Sequence, residues 1–204
     1  MNAARAIAAL GALVGLGGLG LQYVIMLGAE GAAPLQVTSR FFAYFTILTN
    51  CLVTLVLARA ALKPGAGDGP NAPRIELMAV TSILFVCAVY NILLAPRWEP
   101  QGWQLVADIM LHQATPIIFA LYWLARPHGR LGWRDALFAA LWPIAYAAYG
   151  LARGALDGFY PYFFMDPSTT PLPRVALNMA GMTAAFIVGA LLVVALDRAL
   201  ARRV

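Results

Sequence analysis

Six apolar stretches, each about 20 residues long and able to cross a hydrocarbon core of roughly 30 Å, constrain what this chain can fold into. They run at about residues 6–27, 41–62, 75–94, 104–125, 133–151 and 175–196. Inside a bilayer every backbone N–H and C=O must find its partner within the chain, so such stretches become helices or the strands of a closed barrel. The alternation of barrel strands is absent. The sequence therefore predicts an all-α, polytopic membrane protein, a six-transmembrane-helix bundle forming a single domain over residues 1–204. Its 62% hydrophobic and 11% charged residues agree, as does a mean hydropathy of +0.75.

The first stretch follows Arg5, but its apolar run is too long for the core of a cleavable signal and lacks a cleavage site, so it reads as a retained helix. With six spans, the N-terminus, the 63–74 and 126–134 loops and the C-terminus share one side. They carry Arg5, Arg59, Lys63, Arg74, Arg126, Arg130, Arg134, Arg198, Arg202 and Arg203, ten of the fourteen Lys and Arg residues, which predicts cytoplasmic termini. The net charge of +5 thus answers to the membrane, and no nucleic-acid motif competes with that reading. The abundance of Ala and the near-exclusive use of Arg over Lys suggest a GC-rich bacterial genome, and so a bacterial inner membrane.

Between the spans, Lys63 to Pro73 reads as a flexible linker rich in Pro and Gly. The segment from Gly154 to Pro173 carries Asp157-Gly-Phe-Tyr-Pro-Tyr-Phe-Phe-Met-Asp166 on the opposite side. It reads either as an interfacial anchor or as a lid over an outward-opening pocket. Gly11, Gly15 and Gly18 in the first span, and Gly181, Ala185 and Gly189 in the last, predict close helix approach. Cys51 and Cys87 fall inside spans and read as small apolar side chains.

An ionisable side chain in the middle of an apolar helix is a candidate functional group, and His112 is one. Asp108, His112 and Thr115 share a face of their helix, as do Thr46, Asn50 and Thr54 of theirs. With its span begun at residue 41, Thr46 lies about 9 Å deep, within a turn of the depth of His112. Asn91, shared with Cys87 on one face, and the stripe Trp142, Tyr146, Tyr149 and Arg153 reach the same level. The economical arrangement is an outward-facing polar cavity under apolar walls.

A threonine hydroxyl needs an adjacent base to act as a nucleophile, and neutral imidazole suits that task near pH 7. Thr46 and His112 are the candidate catalytic pair, with Asp108 either orienting the ring or pairing with Arg153. Asn50 is a supporting group that also reads as glue between helices. Asn91, Tyr146, Tyr149 and Arg153 are the candidate substrate contacts, Arg153 reading as a snorkelling charge or as a clamp for a carboxylate head. His128 reads as solvated in its basic loop. One intramembrane histidine cannot build a bis-histidine haem site, and one His with one Asp are too few for a metal, so no cofactor or metal is expected.

Tyr44-Phe-Thr46 opening one span with Asn50 following, and Leu111-His112 leading to Pro116 and an apolar run to Leu124, resemble the androgen-induced protein family. That family includes the androgen-dependent regulator of tissue factor pathway inhibitor and bacterial relatives, and the Tyr-Pro-Tyr-Phe-Phe-Met-Asp loop looks like that of the bacterial branch. Its animal members are multispanning threonine hydrolases of fatty-acid esters of hydroxy fatty acids. The resemblance implies Thr46 as nucleophile, His112 as catalytic histidine and a lipid ester as substrate. The chain differs from the animal pattern in lacking a second histidine just before His112 and in carrying Asp108 in place of Asn. A competing expectation is a lipid- or anion-binding or transport protein that uses the same cavity without chemistry.

Overall fold

The computed structural model describes residues 3–29, 33–63 and 67–202. Residues 64–66 of the linker and Arg203 of the basic set lie outside the described residues. Among the described residues six helices are long and apolar enough to cross a membrane: α1 (Ala3–Leu27), α3 (Phe45–Leu62), α4 (Pro73–Arg97), α5 (Gly102–Leu124), α6 (Asp135–Asp157) and α7 (Leu172–Ala201). A short α2 (Pro34–Phe41) precedes α3, and no strand occurs among the described residues. The protein is an integral, multi-pass membrane protein. Leu13, Ile92 and Leu192 project outward from the bundle, exposed apolar side chains of the kind a hydrocarbon surrounding accepts.

Leu57, Leu77, Ile83, Phe119, Tyr122 and Phe186 form a core in which none is more than 1% exposed. The first helix packs onto it through missing side chains. A methyl on Gly11 would sit 2.8 Å from both Leu57 and Ile118, and one on Gly15 would collide with the Thr54 hydroxyl. The α1 glycines therefore let three helices approach closely. The last span departs from expectation, because a side chain on Gly181 would meet nothing within 4 Å and one on Gly189 only the Thr81 methyl, at 3.8 Å. Its small residues do not make a tight seam.

The predicted second span, begun at residue 41, is broken. Chain entry is made by α2, with Pro34 in its first turn, where the fixed φ suits a helix start and the missing N–H costs nothing. The backbone then leaves the helix at Phe42 to Tyr44 and restarts at Phe45, with Tyr44 extended at φ −85° and ψ 131°. Thr46 consequently lies in the first turn of α3, not a turn and a half down a longer helix.

Two other spans contain a widened π-turn, Tyr90–Leu94 in α4 and Met110–Ala114 in α5. Each is followed two residues later by proline, Pro96 and Pro116. A proline ring clashes with the carbonyl four residues back and offers it no N–H, which places the disturbance at Ile92 and at His112. The widened turns absorb it.

Both ends of the described chain, the 67–72 segment and the 125–134 loop gather at one end of the bundle. Arg5 Nε donates to Ala61 O at 2.9 Å, and Gly129 abuts Ala201. Part of the predicted linker is ordered there: Asn71 is fully buried, and Arg59 bonds Asp68. That contact holds the Asp68 carboxyl below its ordinary pKa. His128 is not solvated as predicted, because it pairs with the buried Asp197 at 3.2 Å.

Candidate active site

At the opposite end, a cavity of about 420 Å³ opens between α1, α3, α4, α5 and the loop after α6. Thr46, Asp108 and His112 line it together with Tyr90, Arg97 and Tyr162. A narrower, almost wholly apolar slot of about 60 Å³ adjoins it, walled by Phe45, Phe85, Val89, Met179 and Met182. Thr46, Tyr90 and Tyr162 belong to both walls, so the two spaces meet at the threonine.

The π-turn of α5 aims His112 into this space. Its Nδ1 lies 3.1 Å from the Asp108 backbone oxygen and 3.3 Å from Asp108 Oδ1. Both neighbours only accept, so Nδ1 carries the proton and the neutral ring keeps its lone pair on Nε2. Tyr90, from the π-turn of α4, stacks on the imidazole, and its hydroxyl also meets Asp108. The ring is held by an acid on one edge and an aromatic face above.

Thr46 is 8% exposed, and its hydroxyl lies 3.5 Å from the Tyr162 hydroxyl. Its backbone N–H donates to the same oxygen at 3.4 Å. No hydrogen bond joins His112 to Thr46 among the described residues, although both face one cavity. Asn50 connects their helices, donating from Nδ2 to Thr46 O at 2.9 Å and Leu111 O at 3.2 Å. Its Oδ1 is buried and has no partner among the described residues.

The predicted substrate contacts are placed differently. Asn91 lies on the outward face, where its Nδ2 donates to Cys87 O at 2.7 Å and Gln113 Nε2 donates to its Oδ1 at 3.0 Å. It ties the two π-turns together behind the cavity. The polar stripe of α6 braces the break before α3: Trp142 donates to Thr49 Oγ1, Tyr146 to Ala43 O and Tyr149 to Phe42 O. Of these only Tyr146 borders the site, in the wall of the apolar slot. Arg153 pairs with Asp157 at 2.7 Å and donates to Ser39, so it neither clamps the cavity nor pairs with Asp108.

Two cavity residues, Tyr90 and Arg97, stood outside the sequence reading, and a third, Tyr162, entered it only as part of the aromatic loop. Tyr90 is one more aromatic in an apolar span and carries no sequence signal. Arg97 stands at the cavity mouth, with its guanidinium 5.0 Å from the centre of the Phe163 ring. Tyr162 comes from the acidic-flanked aromatic loop, whose buried Tyr162, Phe164 and Met165 make it a cover, as the lid alternative predicts. Gly154 permits that cover, because any side chain there would run into the Tyr160 ring.

No family model matches the chain, and neither does any curated protein or solved structure.

Proposed function

We propose that this protein is an intramembrane hydrolase of lipid carboxylic esters, with Thr46 as nucleophile and His112 as base. The observation that carries the reading is that Thr46 and His112 line one cavity while Asp108 holds Nδ1, which leaves the basic Nε2 lone pair of His112 uncommitted. Catalytic contacts are commonly long before substrate is bound, so closure of the pair belongs to the substrate complex.

In the reaction, Thr46 Oγ bonds to the ester carbonyl carbon as its proton passes to Nε2 of His112. The carbonyl pair moves onto oxygen, then returns as the bond to the alcohol oxygen breaks, and the alcohol leaves with the proton from His112. Water attacks the resulting acyl-threonine, giving a proton to His112, and the Thr46 oxygen recovers a proton as the acid departs. The apolar slot suits an alkyl arm of the ester. Arg97, in place of the predicted Arg153, offers a cation for a carboxylate on the other arm. Fatty-acid esters of hydroxy fatty acids have that chemistry, and the Arg-rich composition favours a bacterial cytoplasmic membrane as the setting.

Purified protein assayed against a panel of such esters tests this. Wild type turns over at least one, and Thr46→Ala abolishes turnover while remaining folded. Retained turnover in the Thr46→Ala protein would sink the proposal. A second reading, binding or transport without chemistry, is favoured by the Thr46 hydroxyl meeting Tyr162 and not His112. That reading gains if ligands bind but no ester is ever cleaved.

A further inference from the structure

The loop residue Tyr162 does more than close the cavity. It leaves α6 and returns over the site, where its ring stacks on Phe164 with centroids 5.1 Å apart and planes 6° from parallel. Tyr44 and Tyr146 meet it edge-on, at 5.9 and 6.3 Å. The ring is therefore fixed, and 8% of the residue is exposed.

The hydroxyl is fixed too. At the start of α3 the first intrahelical bond is made by Leu48 N–H to Tyr44 O, which leaves the amides of Phe45, Thr46 and Ile47 without helical acceptors. Tyr44, at the cap position, supplies no side-chain oxygen. The Tyr162 oxygen fills that place, accepting the Thr46 N–H and meeting the Phe45 amide. A hydroxyl that accepts donates more strongly in turn, and a helix N-terminus favours negative charge beside it. Burial pushes the phenol above its ordinary pKa, so it keeps its proton. Among the described residues the phenol oxygen meets one side-chain oxygen, Thr46 Oγ1, at the long distance of 3.5 Å, where either hydroxyl can donate.

We propose that Tyr162 is a catalytic residue whose hydroxyl donates to the ester carbonyl oxygen attacked by Thr46, the fixed amides of α3 polarising it from behind. The inference rests on the hydrolase reading. Oγ1 of Thr46 and the phenol lie side by side on the wall shared by both chambers, so a carbonyl carbon meeting Oγ1 brings its oxygen to the phenol. Preorganised donors of this kind contribute roughly 100- to 1000-fold in rate. A cap that served only the fold would leave the chemical step alone.

Tyr162→Phe keeps the stacked ring and removes the donor. The expected result is a fall in kcat of about 100-fold with KM changed less than about threefold, in protein whose thermal midpoint shows it folded. Should Tyr162→Phe fail to fold, fluorotyrosine incorporated at position 162 keeps the ring and the hydroxyl but makes the phenol more acidic. The alkaline limb of kcat then moves to lower pH, because the ionised phenol cannot donate. Wild-type kcat in Tyr162→Phe, or an unmoved alkaline limb in the fluorotyrosine protein, overturns the role of Tyr162 while Thr46→Ala remains dead. Activity in Thr46→Ala overturns the hydrolase reading instead, and this inference with it.

Discussion

The His112 imidazole lies face to face with the Tyr90 ring, with centroids 3.9 Å apart and planes 16° from parallel. Each ring stands in a widened turn, and each turn is forced by a proline two residues beyond it. A regular helix would space these side chains by the ordinary 100° step. The extra residue re-aims them, so that the two spans present one stacked pair to the cavity. π-turns are frequent at functional sites for this reason.

Asp108 completes that arrangement by accepting from Nδ1. Replacing it with Asn keeps the volume and the backbone oxygen that accepts from Nδ1 at 3.1 Å, but removes the carboxylate 3.3 Å from the ring that stabilises its protonated form. Asp108→Asn is therefore expected to lower kcat by about tenfold, the tautomer being kept by the backbone acceptor. Ester turnover measured beside a thermal midpoint checks this, and an unchanged kcat would show that Asp108 only packs.

The stripe on α6 gives a different expectation from substrate contact. Tyr149 donates to Phe42 O at 3.2 Å and Tyr146 to Ala43 O at 2.9 Å, so both satisfy carbonyls freed where α2 ends and α3 begins. Tyr149→Phe should cost about 1 kcal/mol, at the exposed site, with KM unchanged. Tyr146→Phe should cost up to about 3 kcal/mol, because the Ala43 carbonyl is then left unpaired in a drier place. Unfolding in detergent reads the stability and initial rates read KM. A raised KM in Tyr149→Phe at full stability would restore it as a substrate contact.

Six spans and their common basic end were legible because length, hydropathy and charge asymmetry act along the sequence and need no partner. The break before α3 was not. Phe41-Phe-Ala-Tyr-Phe45 is apolar throughout, with no proline or glycine to mark an end, and the tyrosines that stabilise the break lie about a hundred residues away. Thr46 and His112 were found as polar groups at matching depth, and they do share a cavity. The stripe was misassigned because periodicity gives a face but not what the face meets: Arg153 meets Asp157 and Ser39, whereas Arg97, an isolated charge at a helix end, reaches the cavity.

Tyr162 also predicts an alkaline limit to stability. Burial raises its folded pKa above the ordinary value of 10.0, so the protonated phenol is the form the fold favours. Its contribution is fully present below pH 10.0 and is lost as pH rises through the higher folded value. Thermal midpoints measured upward from pH 9 should fall more steeply in wild type than in Tyr162→Phe. Parallel curves would mean that the buried phenol does not govern that limb.

At the basic end, Asp197 holds the loop between α5 and α6 with three bonds. It accepts Gly129 N–H at 3.0 Å and Leu131 N–H at 3.1 Å, and pairs with His128 Nδ1 at 3.2 Å. An acidic residue in the last turns of a membrane helix, 3% exposed, needs such compensation to remain there. Asp197→Ala strands two amides and a histidine, and should destabilise by about 2–4 kcal/mol. Asp197→Asn keeps one carbonyl acceptor and should cost less. Because the cavity with Thr46 and His112 is at the other end of the bundle, ester turnover per folded molecule should stay at the wild-type level in both variants. Midpoint and turnover measured on the same preparations separate the two ends: loss of turnover without loss of stability would mean that this latch is coupled to the cavity of Thr46 and His112 at the opposite end.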